Sequence, residues 1–309
     1  MKIISTTCLY QQSPHSAFSD LCAFHDEIYC CFRIAENHIS GDGQICILQL
    51  DWQGHVMNKI ILRQPRTDLR DPKLSITADG KLLLLAYARQ VDENGKFAFS
   101  QPQVWFSNNG QSWSAKKDIG QRNWWLWRLR WQDDVALGFA YNRRSQTLDL
   151  YAGNPLRTFE KQVPAVLSLQ KHQLGYPNES DIAFDSQKTA YAIVRRDADT
   201  CTAQLGIAKP PYKQWCWHDL GAYLGAPCML MLDDSTVIIC ARIWRPQGPQ
   251  TALLKLDLPS KKLTLETVLP SAGDCSYAGM VMKDGFLYVS YYSSHVGGKS
   301  MMYLSTLTL

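Results

Sequence analysis

The chain has 309 residues, 46% hydrophobic and 19% charged, which excludes a disordered or low-complexity protein and is longer than one ordinary core supports, leaving two domains or one repetitive or barrel architecture. A net charge of +4 is too small to argue for nucleic acid as a partner but does not repel a small anion, and no apolar run approaches the roughly 20 residues of a membrane span. The start, MKIISTTCLYQQ, breaks its apolar segment with Ser5, Thr6 and Thr7 and makes a poor signal peptide, so the expectation is a cytoplasmic protein.

In chain order the signal is strand after strand. Runs of four to eight residues rich in Val, Ile, Leu, Tyr and Trp alternate with Asp-Gly, Asn-Gly or similar turns, and no ten-residue window sustains helical periodicity. A first hairpin, AFSDLCAFHDEIYCCFR, closes at Arg33, and a second, DPKLSITADGKLLLLAYAR, turns at Asp79-Gly80 and closes at Arg89. The third, WWLWRLRWQDDVALGFAYNR, turns at Asp133-Asp134 and closes at Arg143. The fourth, NESDIAFDSQKTAYAIVRR, has a carboxylate at its start and an arginine pair, Arg195 and Arg196, at its end. The fifth, APCMLMLDDSTVIICAR, closes at Arg242, and the sixth, CSYAGMVMKDGFLYVSYYSSH, turns at Asp284-Gly285 and closes at His295. These end points lie 56, 54, 52, 47 and 53 residues apart, the length of a four-stranded blade with its loops.

The expected fold is therefore all-β, a single six-bladed β-propeller domain spanning 1–309. Inner strands of a propeller blade are covered on both faces and read as continuous apolar runs, as Leu82 to Ala86 and Val237 to Ala241 do. Outer strands alternate, as from Gln103 to Ser107 before the turn Asn108-Asn109-Gly110. Because an open ring leaves exposed strand edges, Lys2 to Leu9 is expected to complete the last blade beside Ser300 to Leu307. Ten cysteines scattered through the strands, with Cys30 and Cys31 adjacent, read as reduced thiols, and no CxxC or zinc-spaced cluster is present.

Hairpin geometry gathers the start of each first strand and the end of each second strand at one mouth of the channel. Arg33, Arg89, Arg143, Arg195 and Arg242 are thereby expected at the rim, each either an anion-binding group or a structural partner for a neighbouring acid. Trp124, Trp125, Trp127 and Trp131 make either a sugar-stacking platform or inter-blade core. His38 and His295 suit either proton transfer or loop hydrogen bonding, and the run Tyr288, Tyr291, Tyr292 reads as packing, with Tyr292 or Ser293 placed to reach the channel.

Glu179 followed by Arg195, Arg242 closing the fifth hairpin and Ser276-Tyr277 opening the sixth resemble the sialidase (neuraminidase) superfamily of six-bladed propellers, and especially bacterial sialidase-like proteins with a DLRDPKL second blade. The segment FSNNGQSW, Phe106 to Trp113, is similar to a degenerate Asp-box turn in which Asn108 replaces the aspartate. The resemblance implies an exo-acting glycoside hydrolase for a terminal sialic-acid-like sugar, with Tyr277 as nucleophile, Glu179 as its base, and Arg195 and Arg242 as two members of an arginine triad. A neutral tyrosine suits this role because an anionic nucleophile is repelled by the sugar's own carboxylate. The chain departs from the family where Phe-Arg-Ile-Pro is replaced by Phe18-Ser19-Asp20-Leu21, so the third clamp is either Arg70 or Arg33. The acid/base residue is either Asp42, in the His38 to Gly43 loop, or Asp71; Asp42 equally suits an Asp-Gly turn. His38 and Trp125 complete the expected substrate contacts, and none of these roles requires a metal or cofactor. The competing readings are a lyase or glycosidase for uronic-acid sugars, using Tyr277 or His38 as base, and a noncatalytic glycan-binding propeller.

Overall fold

The computed structural model describes residues 1–309 and contains 25 strands and one short helix, Leu169–His172. They form six small antiparallel sheets, and the innermost strands of neighbouring sheets touch in a closed ring: a six-bladed β-propeller. Hairpins of inner strands build the blades: His15–Phe24 with Glu27–Ala35, Thr67–Ile76 with Leu82–Val91, Pro177–Phe184 with Ala190–Arg196, Gly225–Asp233 with Thr236–Arg245, and Cys275–Lys283 with Phe286–Ser293. The third blade departs from this pattern. Its innermost strand is split into Trp125–Leu126 and Arg130–Gln132, both paired with Val135–Asn142, and the intervening residues bring Arg128 into the channel.

The runs from Leu82 to Ala86 and from Val237 to Ala241 are buried because a neighbouring blade covers each sheet face. The sixth blade takes its fourth strand from the N-terminus: Lys2–Tyr10 pairs antiparallel with Met301–Thr308, from Lys2 opposite Thr308 to Tyr10 opposite Met302. All ten cysteines are free thiols, six of them buried. In the turn before Trp113, Asn109 closes the loop, its Oδ1 accepting from the Gln111 and Ser112 N–H groups at 3.0 and 2.9 Å. Gly110 is required there, since φ is +72° and a Cβ would sit 2.1 Å from the Tyr29 hydroxyl. No helix is long and apolar enough to cross a membrane.

One distortion repeats around the ring. Five innermost strands slip register at the same depth, between Ala17 and Asp20, Arg70 and Lys73, Pro177 and Ser180, Gly225 and Cys228, and Ser276 and Gly279. Within four of these bulges Phe18, Asp71, Ala226 and Tyr277 have positive φ values of 62°, 47°, 47° and 52°. A bulge inserts one extra residue and turns a side chain out of the pleat, here towards the axis. Left-handed backbone at a non-glycine residue costs on the order of 1 kcal/mol, so four such residues at one depth mark a strained collar held by the surrounding sheets.

Below the collar a buried ionic plug fills the channel. Arg128 donates to Asp20 Oδ1 at 2.7 Å and lies 3.6 Å from Asp181, while Arg130 grips Asp181 with two bonds of 2.8 and 2.6 Å. The remaining carboxylate capacity is met by the Leu74, Ile182 and Met229 N–H groups. Burial pushes the Asp181 carboxyl up, but Arg130 and Arg128 outweigh it and hold it below its ordinary value. The stability it contributes is therefore present above the unfolded aspartate pKa and is lost as pH falls through the depressed folded value. Asp181→Ala takes from Arg130 both of its charge-assisted bonds and leaves the buried Arg128 with one carboxylate neighbour, Asp20, in place of two, and is expected to cost about 3 kcal/mol in chemical denaturation; a change below about 1 kcal/mol would show that the plug adds nothing.

Candidate active site

Above the plug, Tyr277 stands on its bulge at the channel mouth and donates its hydroxyl proton to Glu179 Oε1 at 2.6 Å. The other carboxylate oxygen of Glu179 accepts from Arg195 Nη1 at 2.6 Å and from the Ala226 N–H at 2.8 Å. Burial raises the Glu179 pKa, yet Arg195 and the hydrogen bonds outweigh it, so this carboxylate stays ionised below the ordinary glutamate range. The same burial, reinforced by the Glu179 charge, pushes the Tyr277 phenol well above its ordinary value despite Arg242 and Arg195. The pair thus rests as a neutral phenol bonded to a carboxylate.

Three arginines lie within electrostatic reach of that phenol: Arg70, Arg195 and Arg242. Arg195 is held by Glu179 and by Asp197 at 3.0 Å, and Arg242, whose guanidinium lies 5.3 Å from the Tyr277 ring centre, by the Cys275 carbonyl, Asp274 and Tyr292. Arg70 donates to Asp68 at 3.0 Å and to the His38 carbonyl at 3.0 Å. These bonds fix the guanidinium planes while leaving Arg195 Nη2, Arg242 Nη1 and Arg70 Nε with no hydrogen-bond partner and none of them fully buried. Such donors are oriented in advance for an anion.

Arg33 is not among them. It is completely buried, with Nε on Asp68 and both terminal nitrogens on the carbonyls of Asn37 and Ser40, so it ties down the loop after the first hairpin and offers nothing to a ligand. Arg89 and Arg143 turn away to lie over Phe97 and Tyr176. Convergence of all five hairpin-closing arginines does not occur.

Of the two acid/base candidates, Asp42 is an exposed loop residue whose carboxylate accepts the Glu36 N–H at 3.1 Å. Slight burial raises its pKa, but hydrogen bonds from Ser40 and the Glu36 N–H hold it below the ordinary value, which is unsuited to a proton donor. Asp71 is buried on its bulge, 3.9 Å from Arg70 Nε; burial pushes its carboxyl up to about 6, with Arg70 and Lys73 opposing and Glu179 adding to the rise.

Trp125 is stacked 3.8 Å from Tyr87 and lies parallel to Tyr141 at 5.8 Å, so protein covers the face expected to meet a sugar. Trp127 is buried 5.8 Å from the Tyr277 ring, Trp124 lies under Lys161, and Trp131 bonds Ser75 at 3.1 Å far from the mouth. His295 bonds Ser293 and packs on Tyr303, outside the pocket, whereas Tyr292 reaches the pocket and bonds Asp274 Oδ1 at 2.6 Å. His38 lies at the rim, with Nδ1 2.8 Å from Asp274 Oδ2. A cavity of about 510 Å³ opens at the hairpin-turn end, lined by residues such as Leu129, Trp131, Phe184 and Met231, and holds neither Tyr277 nor Glu179 nor any of the arginines around them.

Three residues brace the site without having been expected from the sequence: Tyr223, whose ring centre lies 5.5 Å from the Arg195 guanidinium, Asp274, which holds Arg242 and Tyr292, and His15, 3.4 Å from Asp274. A signal for them exists in the chain. His15, Asp68, Tyr223 and Asp274 each stand three residues before a positive-φ bulge residue, Phe18, Asp71, Ala226 and Tyr277. The spacing is readable once the bulges are known.

The fold and this pocket define a propeller with a Tyr-Glu pair among oriented arginines. No protein-family model matches the sequence, and no curated protein matches it. Among solved structures, the chain is similar to a protein of unknown function from Dyadobacter fermentans, at a TM-score of 0.86 and 15% identity over 100% of this chain and 99% of that one. It is also similar to an α-L-arabinofuranosidase, Arb93A, from Fusarium graminearum (TM-score 0.75, 12% identity, 100% and 98% covered). The NanB sialidase of Streptococcus pneumoniae follows with a TM-score of 0.73 and 10% identity over 97% and 70%. At these identities the likeness establishes a fold that glycoside hydrolases use, and nothing finer.

Proposed function

We propose that the chain is a retaining glycoside hydrolase of the exo-α-sialidase type that removes a terminal acidic sugar. The observation that carries this reading is the 2.6 Å bond from Tyr277 to Glu179 within reach of three arginines that keep unpartnered N–H groups. Arg70, Arg195 and Arg242 bind the sugar carboxylate and fix the anomeric carbon over Tyr277. Tyr277 Oη bonds to that carbon while its proton passes to Glu179 Oε1; Asp71 gives its proton to the departing glycosidic oxygen. Asp71, now a carboxylate, takes a proton from the attacking water, and Tyr277 leaves with the proton returned by Glu179. Two displacements at one carbon retain its configuration.

A fluorogenic α-sialoside assay on wild type, Tyr277→Phe and Glu179→Ala tests the proposal. No release from several nonulosonates would overturn it, as would an unsaturated product, which indicates a lyase, or tight glycan binding without turnover, which indicates a lectin.

Asp71 as acid must be protonated and Glu179 as base must be ionised. The kcat/KM profile is therefore expected to be bell-shaped, rising as Glu179 ionises below the ordinary glutamate value and falling above the Asp71 pKa of about 6. In Asp71→Asn the limb near pH 6 should vanish with a loss of about 10²–10⁴-fold. A limb that persists in Asp71→Asn assigns the proton donor to another group.

A further inference from the structure

Three side chains from distant parts of the chain meet beside the pocket. His15 opens the first inner strand, His38 sits in the loop that Arg33 ties down, and Asp274 precedes the sixth blade. His15 Nε2 and His38 Nδ1 both point at the same atom, Asp274 Oδ2, from 3.4 and 2.8 Å, and all three lie within 4.8 Å of one another. The other oxygen of Asp274 is held separately by the Tyr292 hydroxyl at 2.6 Å and Arg242 Nη2 at 3.3 Å.

We propose that His15, His38 and Asp274 bind a divalent transition-metal ion of the zinc class, with an open position toward the pocket mouth. Two imidazoles and one carboxylate are a donor set suited to such ions, and ligands about 2.0–2.2 Å from a tetrahedral zinc are separated from each other by about 3.3 Å. The two imidazole–carboxylate distances, 3.4 and 2.8 Å, lie within about 0.5 Å of that separation. The supporting shell is present: Tyr292 and Arg242 orient the carboxylate by its outer oxygen and leave Oδ2 for the ion. Packing fixes the rings as well, since His15 and His38 lie 5.5 Å apart and 6.1 and 5.1 Å from Phe18. His15 is buried while the His38 side chain is 48% exposed, so one flank is closed and the other admits a water or a ligand oxygen. This site stands whether or not the neighbouring pocket is glycosidic, and its occupancy adds a cation one side chain away from Tyr277, through Phe18 and Tyr292.

The test is titration of chelator-treated, full-length protein with Zn²⁺ by calorimetry and with Co²⁺ by visible absorption. The expected result is one equivalent bound, a ligand-field band in the cobalt form, and a higher Tm with Zn²⁺. His38→Ala, which alters a rim side chain and spares the core, and Asp274→Asn should each weaken binding by more than the roughly 10–100-fold typical of outer-shell changes. His55→Ala removes the exposed His55–Asp51 pair and should leave the titration unchanged. Absence of one-equivalent binding, or binding that survives both His38→Ala and Asp274→Asn, overturns the site and leaves the cluster as an ion pair.

Discussion

Tyr277→Phe is expected to lower kcat on the order of 10³–10⁶-fold, the range seen when a nucleophile is removed from a positioned catalytic group. The substitution deletes one oxygen and keeps the ring, whose packing against Phe18, Trp127 and Tyr292 at 5.0, 5.8 and 5.8 Å holds the bulge in place. Glu179 keeps its bonds from Arg195 and the Ala226 N–H, so the fold should lose no more than about 1 kcal/mol. Glu179→Ala behaves differently. It removes the shared acceptor of Tyr277, Arg195 and Ala226, and leaves a largely buried guanidinium short of its partner, so about 3 kcal/mol of stability should go together with activity. The two variants are distinguished by measuring kcat and denaturant midpoint on the same samples. Tyr277→Phe with wild-type turnover rules out tyrosine as the nucleophile, whatever its stability.

Removal of residues 1–10 is expected to give the largest loss of stability. The strand Lys2–Tyr10 is itself mostly exposed, so its value lies less in its own burial than in what it covers. Its partner Met301–Thr308 is buried along most of its length, and without the N-terminal strand the ladder from Thr308 to Met302 becomes a free edge. Met1 also pairs with Glu266 and accepts from Thr267, which latches the closing blade to the fifth. At about 1 kcal/mol net per backbone bond, the loss is on the order of 5 kcal/mol, or roughly 10 °C in Tm. The exposed edge should also promote association, visible as light scattering on heating. An unchanged melting curve would mean that the ring closes through inter-blade packing alone.

Much of this fold was legible because its physical cause is local. Asp79-Gly80 and Asp284-Gly285 fix turns, Leu82 to Ala86 and Val237 to Ala241 announce strands covered on both faces, and the repeat of about 52 residues follows from four strands and their loops. The split inner strand of the third blade was not legible: Trp125, Leu126 and Trp127 read as one continuous apolar run, while the structure breaks the run to deliver Arg128 to the plug. Trp125 likewise reads as a platform from sequence because stacking on Tyr87, 38 residues away, is invisible there.

The strand repeat, the closure by the N-terminal strand, and the placing of Glu179, Arg195, Arg242 and Tyr277 at hairpin ends on one mouth of the channel can all be read from the residues in order. Each of these depends on periodicity or on the antiparallel register of adjacent strands. Which polar groups are free to act depends on contacts between blades. Arg33 is spent on Asp68 while Arg70 keeps an unpartnered N–H; Asp42 is spent on a backbone N–H while Asp71 is buried and pushed up to about 6; and His38 meets Asp274, 236 residues along the chain. Whether a charged group binds a ligand or braces a loop depends on which donors and acceptors closure of the ring brings beside it, and the bulges that turn Asp71 and Tyr277 inward are held by neighbouring blades.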